Sequence, residues 1–434
     1  MTSRKKKVFS LSLGCAKNQV DAEHAAAELA SAGFKFVETA EKSDIILINT
    51  CGFIKAAKEE SIETIFSLLK NKKENQKTIV YGCLSKRYKE ELEKEIPEVD
   101  FWLGNYQAGM FLNAIGRKRL ATKCRLNPPK RMKNTSFPHH GYLKIAEGCN
   151  RACSFCAIPS IRGLQVSQTI ESLVEEAKQL EENGVMELSL IAQDLSSYGT
   201  DLYNKPSLEA LLEALLKNTN IPWIRLMYLY PEYITDSLLN LMATENRICK
   251  YADIPIQHAS DKMLKLMRRK YSAKSLKNLL FKMRERVPGI SLRTTVLIGF
   301  PGETHEDFEE LMQLAEEVCF EHLGGFVWSP EEGTAAINII EKPVGEREAM
   351  LRLNAIIELQ DEISLYHNEK LIGQTLEVIL DTQKTARTKT NAIEVDDIVN
   401  IVNKYGYPRN GIPGTLRQVK ILSASPHDLE GVLL

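Results

Sequence analysis

Three cysteines stand within one short segment, EGCNRACSFCAIPSIRG, as Cys149, Cys153 and Cys156. We call them the loop cysteines. No fourth cysteine or histidine follows at a regular spacing. Structural zinc sites and ordinary iron–sulfur clusters take four protein ligands, whereas a catalytic metal site keeps one position open. The CxxxCxxC spacing therefore favours an iron–sulfur cluster with one open iron, and the alternative is a structural zinc knuckle.

A second group of three cysteines follows from the pattern of the first hundred residues. VFSLSLGC (8–15), DIILINTC (44–51) and TIVYGC (78–83) are predicted strands, and helices are expected at 18–32 and 54–69. This βαβαβ order predicts a doubly wound parallel α/β sheet.

Each of these three strands ends in a cysteine, namely Cys15, Cys51 and Cys83, which we call the strand-end cysteines. The carboxyl ends of parallel strands share one edge of a sheet, so the three thiols are expected to converge there. The pattern predicts a second three-thiolate cluster site. The alternative is three buried small hydrophobic residues, a common role for cysteine.

From Gly141 the chain alternates strand and helix six more times. A closing helix is expected over 346–370. Six βα units predict a barrel or partial barrel with its site at the carboxyl ends of the strands. The predicted strands are GYLKIAEGC, ELSLIAQD, WIRLMYLYP, YADIPIQH, SLRTTVLIGFPGE and HLGGFVWSP.

The last segment has a different pattern. QTLEVILD, VDDIVNIVN and TLRQVKILSA are short alternating runs separated by turn-forming residues, which predicts a small antiparallel β-domain. The expected organisation is an α/β cluster-binding domain over 6–118, a linker over 119–134, a partial (βα)6 barrel over 135–367 and the β-domain over 368–434. Asn127-Pro-Pro and the basic run from Lys130 to Lys133 favour the linker.

Composition excludes several classes of protein. The 434 residues are 44% hydrophobic and 26% charged, with a formal net charge of −1, which is typical of a globular protein and argues against non-specific coating of nucleic acid. Nine cysteines are too few for a disulfide scaffold, and no apolar run is long enough for a membrane helix. We expect a cytoplasmic protein, the alternative being a lipoprotein signal in MTSRKKKVFSLSLGC. Cys124, Cys249 and Cys319 are interpreted as packing residues.

CxxxCxxC at a strand end in a six-fold βα unit resembles the radical S-adenosylmethionine (SAM) enzymes, in which SAM itself is the fourth ligand of the cluster. Over residues 6 to 434 the chain resembles the methylthiotransferase family, which joins a three-cysteine α/β domain, a radical SAM barrel and a TRAM β-domain. It is most similar to the branch that methylthiolates an aspartate of ribosomal protein uS12. The matching stretches are SLGCAKNQVDAE, LIAQDLSSYGTDLY, IRLMYLYP, DIPIQHASD and WSPEEGT. Ala16 and Trp328 depart from that branch, which usually has proline and tyrosine there.

The resemblance implies two [4Fe-4S] clusters and SAM as cofactors. One SAM would methylate a sulfur held at the strand-end cysteines. A second would be cleaved at the loop cysteines to give a radical that takes hydrogen from the aspartate β-carbon. The two clusters would then face each other across the substrate. Polar residues that end strands are candidates for contact with SAM: Gln193, Asp194, Gln257, His258, Gly299 and Glu303.

The expected partners are uS12 or the small ribosomal subunit, a sulfur donor, and a low-potential reductant such as flavodoxin or ferredoxin. Residues 371–434 contain seven Lys/Arg and seven Asp/Glu. This balance, with an acidic patch of Glu394, Asp396 and Asp397, suits a basic protein better than RNA, because phosphate contacts need a basic surface. Nucleic-acid binding would have to use this β-domain. The alternatives are a tRNA adenosine methylthiotransferase and a non-catalytic iron–sulfur or zinc module that binds ribosomes.

Overall fold

The computed structural model describes residues 6–126, 130–132, 137–402 and 411–434. The predicted Asn127-Pro-Pro turn and Lys133 lie outside the described residues. The chain divides into two compact units. The first contains residues 1–136, 148–150 and 157–164, and the second contains 137–147, 151–156 and 165–434.

The first unit contains a five-stranded parallel sheet in the order β2-β1-β3-β4-β5. The predicted doubly wound α/β domain is confirmed. Its elements are β1 Lys7–Ser12, α1 Ala16–Ser31, β2 Lys35–Phe36, β3 Ile45–Thr50, α2 Lys55–Lys70, β4 Lys77–Gly82, α3 Cys83–Glu95, β5 Phe101–Trp102, α4 Met110–Ala114 and α5 Lys118–Leu126.

Strand β3 is buried along its whole length because helices cover both faces of the sheet. Ile45 and Leu47 pack on the face covered by α1, α4 and α5. Ile46 and Ile48 point to the opposite face and pack with α2 and α3. Because side chains alternate along the strand, β3 contributes to two hydrophobic cores, one on each face of the sheet. The direction of the strand sets the sheet edge at which the strand-end cysteines lie.

Helix α5 occupies the beginning of the segment expected to be a linker. Ala121 and Cys124 are buried in the core beside α1. Residues 118–126 are therefore a packed part of the first unit, and the linker interpretation does not hold for them.

The second unit begins with a six-stranded parallel sheet in the order β13-β12-β11-β10-β9-β6. This sequential order confirms the predicted partial (βα)6 barrel. A two-stranded ribbon, β7 with β8, follows the first strand, and α6 belongs to the first unit. The elements are β6 His140–Lys144, β7 Ala146–Glu147, α6 Ile158–Arg162, β8 Val166–Ser167, α7 Ile170–Glu182, β9 Glu187–Ile191, α8 Leu208–Asn218, β10 Trp223–Leu226, α9 Asp236–Thr244, β11 Ile248–Asp253, α10 Asp261–Leu266, α11 Ala273–Arg286, β12 Ser291–Ile298, α12 His305–Val318, β13 His322–Val327 and α13 Glu346–Glu369.

The helices pack on this sheet through the apolar faces that their sequences predict. In α7 the buried residues are Leu173, Val174, Ala177 and Leu180, which recur at helical spacing. Thr169 caps the same helix by accepting a hydrogen bond from the Ser172 N–H. Among the described residues, no helix is both long and apolar enough to cross a membrane.

The end of the second unit is a closed five-stranded barrel in the order β14-β15-β16-β18-β17. Four of its strand pairs are antiparallel, as expected, whereas β16 and β18 pair in parallel. Two strands, β15 and β18, lie outside the three alternating segments that predicted this domain. The elements are β14 Thr375–Leu380, β15 Thr385–Thr388, β16 Ile398–Ile401, β17 Leu416–Ala424 and β18 Asp428–Leu433.

The proposed acidic patch of the β-domain is not present as predicted. The Asp396 side chain is only 1% exposed and pairs with Arg293 at 3.2 Å. It also accepts a hydrogen bond from the Tyr251 hydroxyl at 2.7 Å. Glu394 is exposed and Asp397 is half-buried. Asp396 therefore attaches the small barrel to the six-stranded sheet, and its carboxylate is not on the surface where a basic partner would bind.

Candidate functional site: two sets of cysteines

The strand-end cysteines lie at the carboxyl edge of the first unit's sheet, as predicted. Cys15 immediately precedes α1, Cys51 directly follows β3, and Cys83 is the first residue of α3. The residue before Cys83 must be glycine: Gly82 has φ +100°, and an added Cβ would lie 2.4 Å from the Asn49 side-chain oxygen. This close approach sets where the Cys83 thiol emerges.

One side chain, that of Asn18, connects the three loops that carry these cysteines. Its amide nitrogen donates to the carbonyls of Leu13 at 2.8 Å and Thr50 at 3.2 Å. Its Oδ1 is 3.7 Å from the Cys83 sulfur. Leu13 and Thr50 are close in sequence to Cys15 and Cys51, so a single buried amide holds all three strand ends in register.

The thiols are close enough to influence one another's ionisation. Burial raises the pKa of Cys83 to about 11, and the charges of Cys15 and Cys51 add to that effect. Burial also raises the pKa of Cys51, again with a contribution from Cys15. Three thiols are one fewer than the four ligands of an ordinary [4Fe-4S] cluster, so this set fits a cluster with one open iron. Iron binding would release the thiol protons, and the positive charge of the metal would offset the cost of burying thiolates.

Arg162, which ends α6 within the first unit, contacts this set directly. Its Nη2 donates a hydrogen bond to the Cys83 sulfur at 3.2 Å. The same guanidinium donates to the Asn18 side-chain oxygen Oδ1 and lies 3.3 Å from the Asp21 carboxylate. No local pattern indicates this contact, because Arg162 is 79 residues from Cys83 in the chain.

The first of the loop cysteines, Cys149, also belongs to the first unit. Its backbone N–H donates to the Gly163 carbonyl at 3.1 Å. Gly148 has φ +75°, and a Cβ there would lie 2.2 Å from the Leu164 carbonyl oxygen. Only glycine permits the chain to pass this close to residues 163–164, so glycine is required immediately before Cys149.

Cys153 and Cys156 belong to the second unit, where they share a tight turn. The Cys156 N–H donates to the Cys153 carbonyl at 3.2 Å. Ser154 between them is tied down by its backbone N–H to Met267 and by its hydroxyl to Leu266. The turn is thereby fastened to the end of α10.

A second arginine, Arg269, contacts Cys153. Its Nη1 lies 3.5 Å from the Cys153 sulfur, and its Nη2 donates to the Pro255 carbonyl at 2.6 Å. The guanidinium also lies over the rings of Tyr230 and Tyr271, at 4.4 and 5.2 Å from their centroids. An arginine thus lies within hydrogen-bond distance of one sulfur in each cysteine set: Arg162 beside Cys83 and Arg269 beside Cys153.

Three of the residues predicted to contact SAM form one network in the second unit. The Glu303 carboxylate accepts a hydrogen bond from the Gly299 N–H at 2.7 Å and pairs with Arg352 at 2.8 Å. His258 Nε2 lies 3.7 Å from the same carboxylate, and its Nδ1 accepts from the Ala259 N–H. Hydrogen bonds to its charged form lower the pKa of Glu303 although burial opposes them. Glu303 and His258 thus hold the turn after β12.

The other predicted residues lie at different strand ends. Both oxygens of Asp194 are engaged, one by Arg151 at 2.7 Å and the other by Ser196 at 2.7 Å. Gln257 has φ +69°, a left-handed conformation, and its backbone exchanges hydrogen bonds with Thr295 and Leu297 of β12. The Gln193 side-chain oxygen is buried and has no hydrogen-bond partner among the described residues. Of the six predicted residues, Gln193 and His258 each have a buried side-chain atom with no hydrogen-bond partner among the described residues, Oε1 of Gln193 and Nε2 of His258.

Sequence reasoning missed Arg151, although it lies between two loop cysteines. Its guanidinium contacts Asp194 and Glu232 and lies 3.9 Å from the centroid of the Tyr230 ring. Its position between two loop cysteines could have marked Arg151 as a candidate, because arginine is over-represented where carboxylates are bound.

The remaining cysteines were predicted to be packing residues. Cys124 and Cys249 are buried, as expected. Cys319 is only partly buried and ends α12 with φ +50°. In the part of the chain that the structure describes, no three His, Cys, Asp or Glu side chains are gathered tightly enough for a single metal ion. A four-iron cluster spaces its thiolates more widely than one ion does.

Comparisons with known proteins agree with this architecture. The pattern of an uncharacterized protein family, UPF0004, matches residues 7–104, and that of the Radical SAM superfamily matches residues 143–315. The radical SAM methyltransferase TsrM from Kitasatospora setae, solved with cobalamin and a [4Fe-4S] cluster bound, is similar with a TM-score of 0.57 at 13% identity over 76% of this chain and 77% of that chain. The cobalamin-dependent S-adenosylmethionine radical enzyme OxsB is similar with a TM-score of 0.52 at 13% identity, over 82% of this chain and 56% of that chain. At these identities the likeness concerns the fold, which is that of radical SAM enzymes.

Curated relatives narrow the class to one family. The ribosomal protein uS12 methylthiotransferase RimO of Citrifermentans bemidjiense is 40% identical to this chain, over 99% of both chains. The protein of the same name from Aquifex aeolicus is 41% identical, over 98% of this chain and 96% of the relative. The one from Flavobacterium psychrophilum is 42% identical, over 99% of this chain and 98% of the relative. The chain belongs to the RimO family of methylthiotransferases.

Proposed function

We propose that this protein transfers a methylthio group to the β-carbon of an aspartate of ribosomal protein uS12. The observation that carries the proposal is identity of about 40% to uS12 methylthiotransferases over nearly the whole chain. The convergence of the strand-end cysteines and the CxxxCxxC loop support it independently, because a methylthiotransferase of this kind needs two separate sets of thiols.

The proposed cofactors are two [4Fe-4S] clusters and SAM. When bound, they supply the radical chemistry that makes an unactivated carbon–hydrogen bond reactive and the sulfur that is transferred. The strand-end cysteines would bind one cluster and the loop cysteines the other. The role of the protein is to hold these thiolates, to leave one coordination position open at each set, and to orient SAM.

Individual side chains have distinct proposed roles. Arg269 holds Cys153 in place and offsets its charge. Gln193 presents an unused acceptor that suits the ammonium group of SAM. Gly299 offers close backbone approach to its adenosine, and the network of His258 and Glu303 keeps that turn rigid. Asp194 and Gln257 act through their neighbours: Asp194 positions Arg151, and Gln257 shapes the end of β11.

The proposed partners are uS12, free or in the small ribosomal subunit, a sulfur donor, and a low-potential reductant such as flavodoxin or ferredoxin. Burial of Asp396 leaves the predicted acidic patch incomplete, which weakens its electrostatic repulsion of RNA next to uS12. The reaction is expected in the compartment that contains ribosomes.

The test is mass spectrometry of uS12 and of tRNA from a strain that lacks the gene and from one that carries it. Loss of one methylthio group from a uS12 aspartate in the deletion strain, with tRNA unchanged, is the expected result. Loss of 2-methylthioadenosine from tRNA alone would assign the protein to the tRNA-modifying branch. A non-catalytic ribosome-binding module would change neither.

A further inference from the structure

We propose that Arg162 is a positioning residue for the strand-end cysteines, fixing the Cys83 sulfur and raising the reduction potential of the cluster that they hold. This inference rests on the proposed function, since it assumes a cluster at these thiols. It adds a residue that lies outside both cysteine motifs and acts on one of them.

The contact is short and buried. Arg162 Nη2 donates to the Cys83 sulfur at 3.2 Å, and the Arg162 side chain is only 1% exposed. Cys83 is itself buried, so little water competes for either partner. Once Cys83 is a thiolate, the bond becomes charge-assisted and therefore stronger.

The orientation of the guanidinium is set from two further sides. Nη2 also donates to the Asn18 side-chain oxygen, and Nη1 lies 3.3 Å from Asp21, whose carboxylate is 2% exposed. Asn18 is the residue that connects the loops of all three strand ends. Arg162 is therefore held by the same amide that aligns the cysteines, which fixes its distance to Cys83.

A purely structural ion pair does not account for this arrangement. Asp21 alone would balance the charge of Arg162, yet the planar guanidinium is turned so that one N–H reaches the sulfur. Hydrogen bonds to cluster sulfurs and nearby positive charge are the means by which proteins raise cluster potentials. The arrangement thus fits a group that tunes a bound cluster and holds its ligand.

The experiment uses the full chain carrying Cys149→Ala, Cys153→Ala and Cys156→Ala, so that only the strand-end site can bind iron. This triple variant is the parent protein into which the further substitutions are introduced. After anaerobic reconstitution, iron content and the midpoint potential from an EPR-monitored titration are measured. Arg162→Gln and Arg162→Lys are compared with the matched control Arg117→Gln. Arg117, also in the first unit, donates to a backbone carbonyl and lies over the Phe34 ring, without a thiol contact.

Arg162→Gln is expected to retain iron and to shift the reduction equilibrium about tenfold toward the oxidised cluster, which for one electron is about 59 mV more negative. Arg162→Lys keeps the charge without the planar fork and should lie between Gln and the parent, whereas Arg117→Gln should match the parent. Loss of iron in Arg162→Gln but not in the two other variants would also support positioning of Cys83.

Two results would overturn the inference. Full iron with the parent's potential in both Arg162 variants shows that Arg162 does not act on the cluster. A lowered melting temperature of the iron-free protein, with unchanged iron content and potential, shows a structural role only. If the parent itself binds no iron, the proposed function fails at this site, and that result is distinct from either outcome for Arg162.

Discussion

Arg387 in the small barrel pairs with Glu187 in the six-stranded sheet at 2.7 Å, and both side chains are buried. Arg225 donates to the same carboxylate at 2.6 Å, so one Glu187 balances two guanidinium groups. These charges hold the pKa of Glu187 well below its usual range although burial opposes them. Glu187 is the first residue of β9, and the small barrel is therefore attached at the edge opposite the strand ends that carry the site.

Replacing Glu187 by Gln should destabilise the second unit strongly. Arg387 would keep its pairing with the Asp381 carboxylate, but the buried Arg225 would lose its carboxylate partner, and breaking a buried pair in this way typically costs about 3–5 kcal/mol. Urea unfolding followed by circular dichroism measures the change. Glu213→Gln on the exposed face of α8 is the control and should change stability by less than about 0.5 kcal/mol. A decrease of less than about 1 kcal/mol in the free energy of unfolding for Glu187→Gln would show that this ion pair does not stabilise the attachment of the small barrel to the six-stranded sheet.

Asp397 should make stability depend on pH. Burial raises the pKa of its carboxyl to about 6, and the charges of Asp396 and Asp428 add to this while His322 and His427 oppose it. The folded state therefore holds the proton more tightly than the unfolded chain. The associated stability is fully present below the ordinary pKa of 3.8 and is lost as pH rises through about 6.

Asp397→Asn keeps the uncharged form at every pH, so it should be the more stable protein at pH 8, by about 1 kcal/mol after allowance for its partial exposure. The difference should shrink as pH falls toward 4. Thermal unfolding across this range provides the measurement, with the exposed neighbour Glu394→Gln as control. Parallel curves for Asp397→Asn and the wild type would contradict the assignment.

Arg269 and Arg268 form a matched pair of adjacent arginines. Arg269 contacts Cys153, Pro255 and two tyrosine rings, whereas Arg268 is exposed. Lysine cannot reproduce the planar fork of arginine. Arg269→Lys should therefore lower the rate of 5′-deoxyadenosine formation by at least about tenfold, which corresponds to about 1.4 kcal/mol, with iron content retained. Arg268→Lys should match the wild type, and equal rates for both variants would remove Arg269 from the site.

Gln193 should contribute to SAM affinity. Its buried side-chain oxygen lacks a donor in the described structure, and a hydrogen bond from SAM would satisfy it. Gln193→Ala should weaken SAM binding about tenfold, the effect of a hydrogen bond to a charged group. Equilibrium dialysis with reconstituted protein measures this, with exposed Asn218→Ala as control. Unchanged affinity would mean that Gln193 serves only its contact with Glu147.

Local patterns in the sequence were sufficient to place the cysteines. Strand DIILINTC is apolar throughout, so its burial on both faces and the position of Cys51 at its end follow from one stretch of residues. The order of the six central strands was predictable for the same reason, since each strand and helix carries its own periodicity. For the loop cysteines, the CxxxCxxC spacing alone was enough to predict that they form one group.

Contacts between distant segments could not be predicted in this way. Arg162 and Asn18 are separated by 144 residues in the sequence and come together only through the tertiary fold. Asp396 looked like part of an acidic surface, because nothing near it in sequence reveals Arg293 or Tyr251. The parallel pairing of β16 with β18 likewise depends on closure of the barrel, which a strand pattern does not encode.

The central claim is that this chain contains two separate three-thiol cluster sites. Anaerobic reconstitution followed by iron and sulfide counting tests it on the wild type and on two triple alanine variants, one for the strand-end cysteines and one for the loop cysteines. We expect about eight irons in the wild type and about four in each variant, because each [4Fe-4S] cluster contains four irons. About four irons in the wild type, or an unchanged count in either variant, would contradict it.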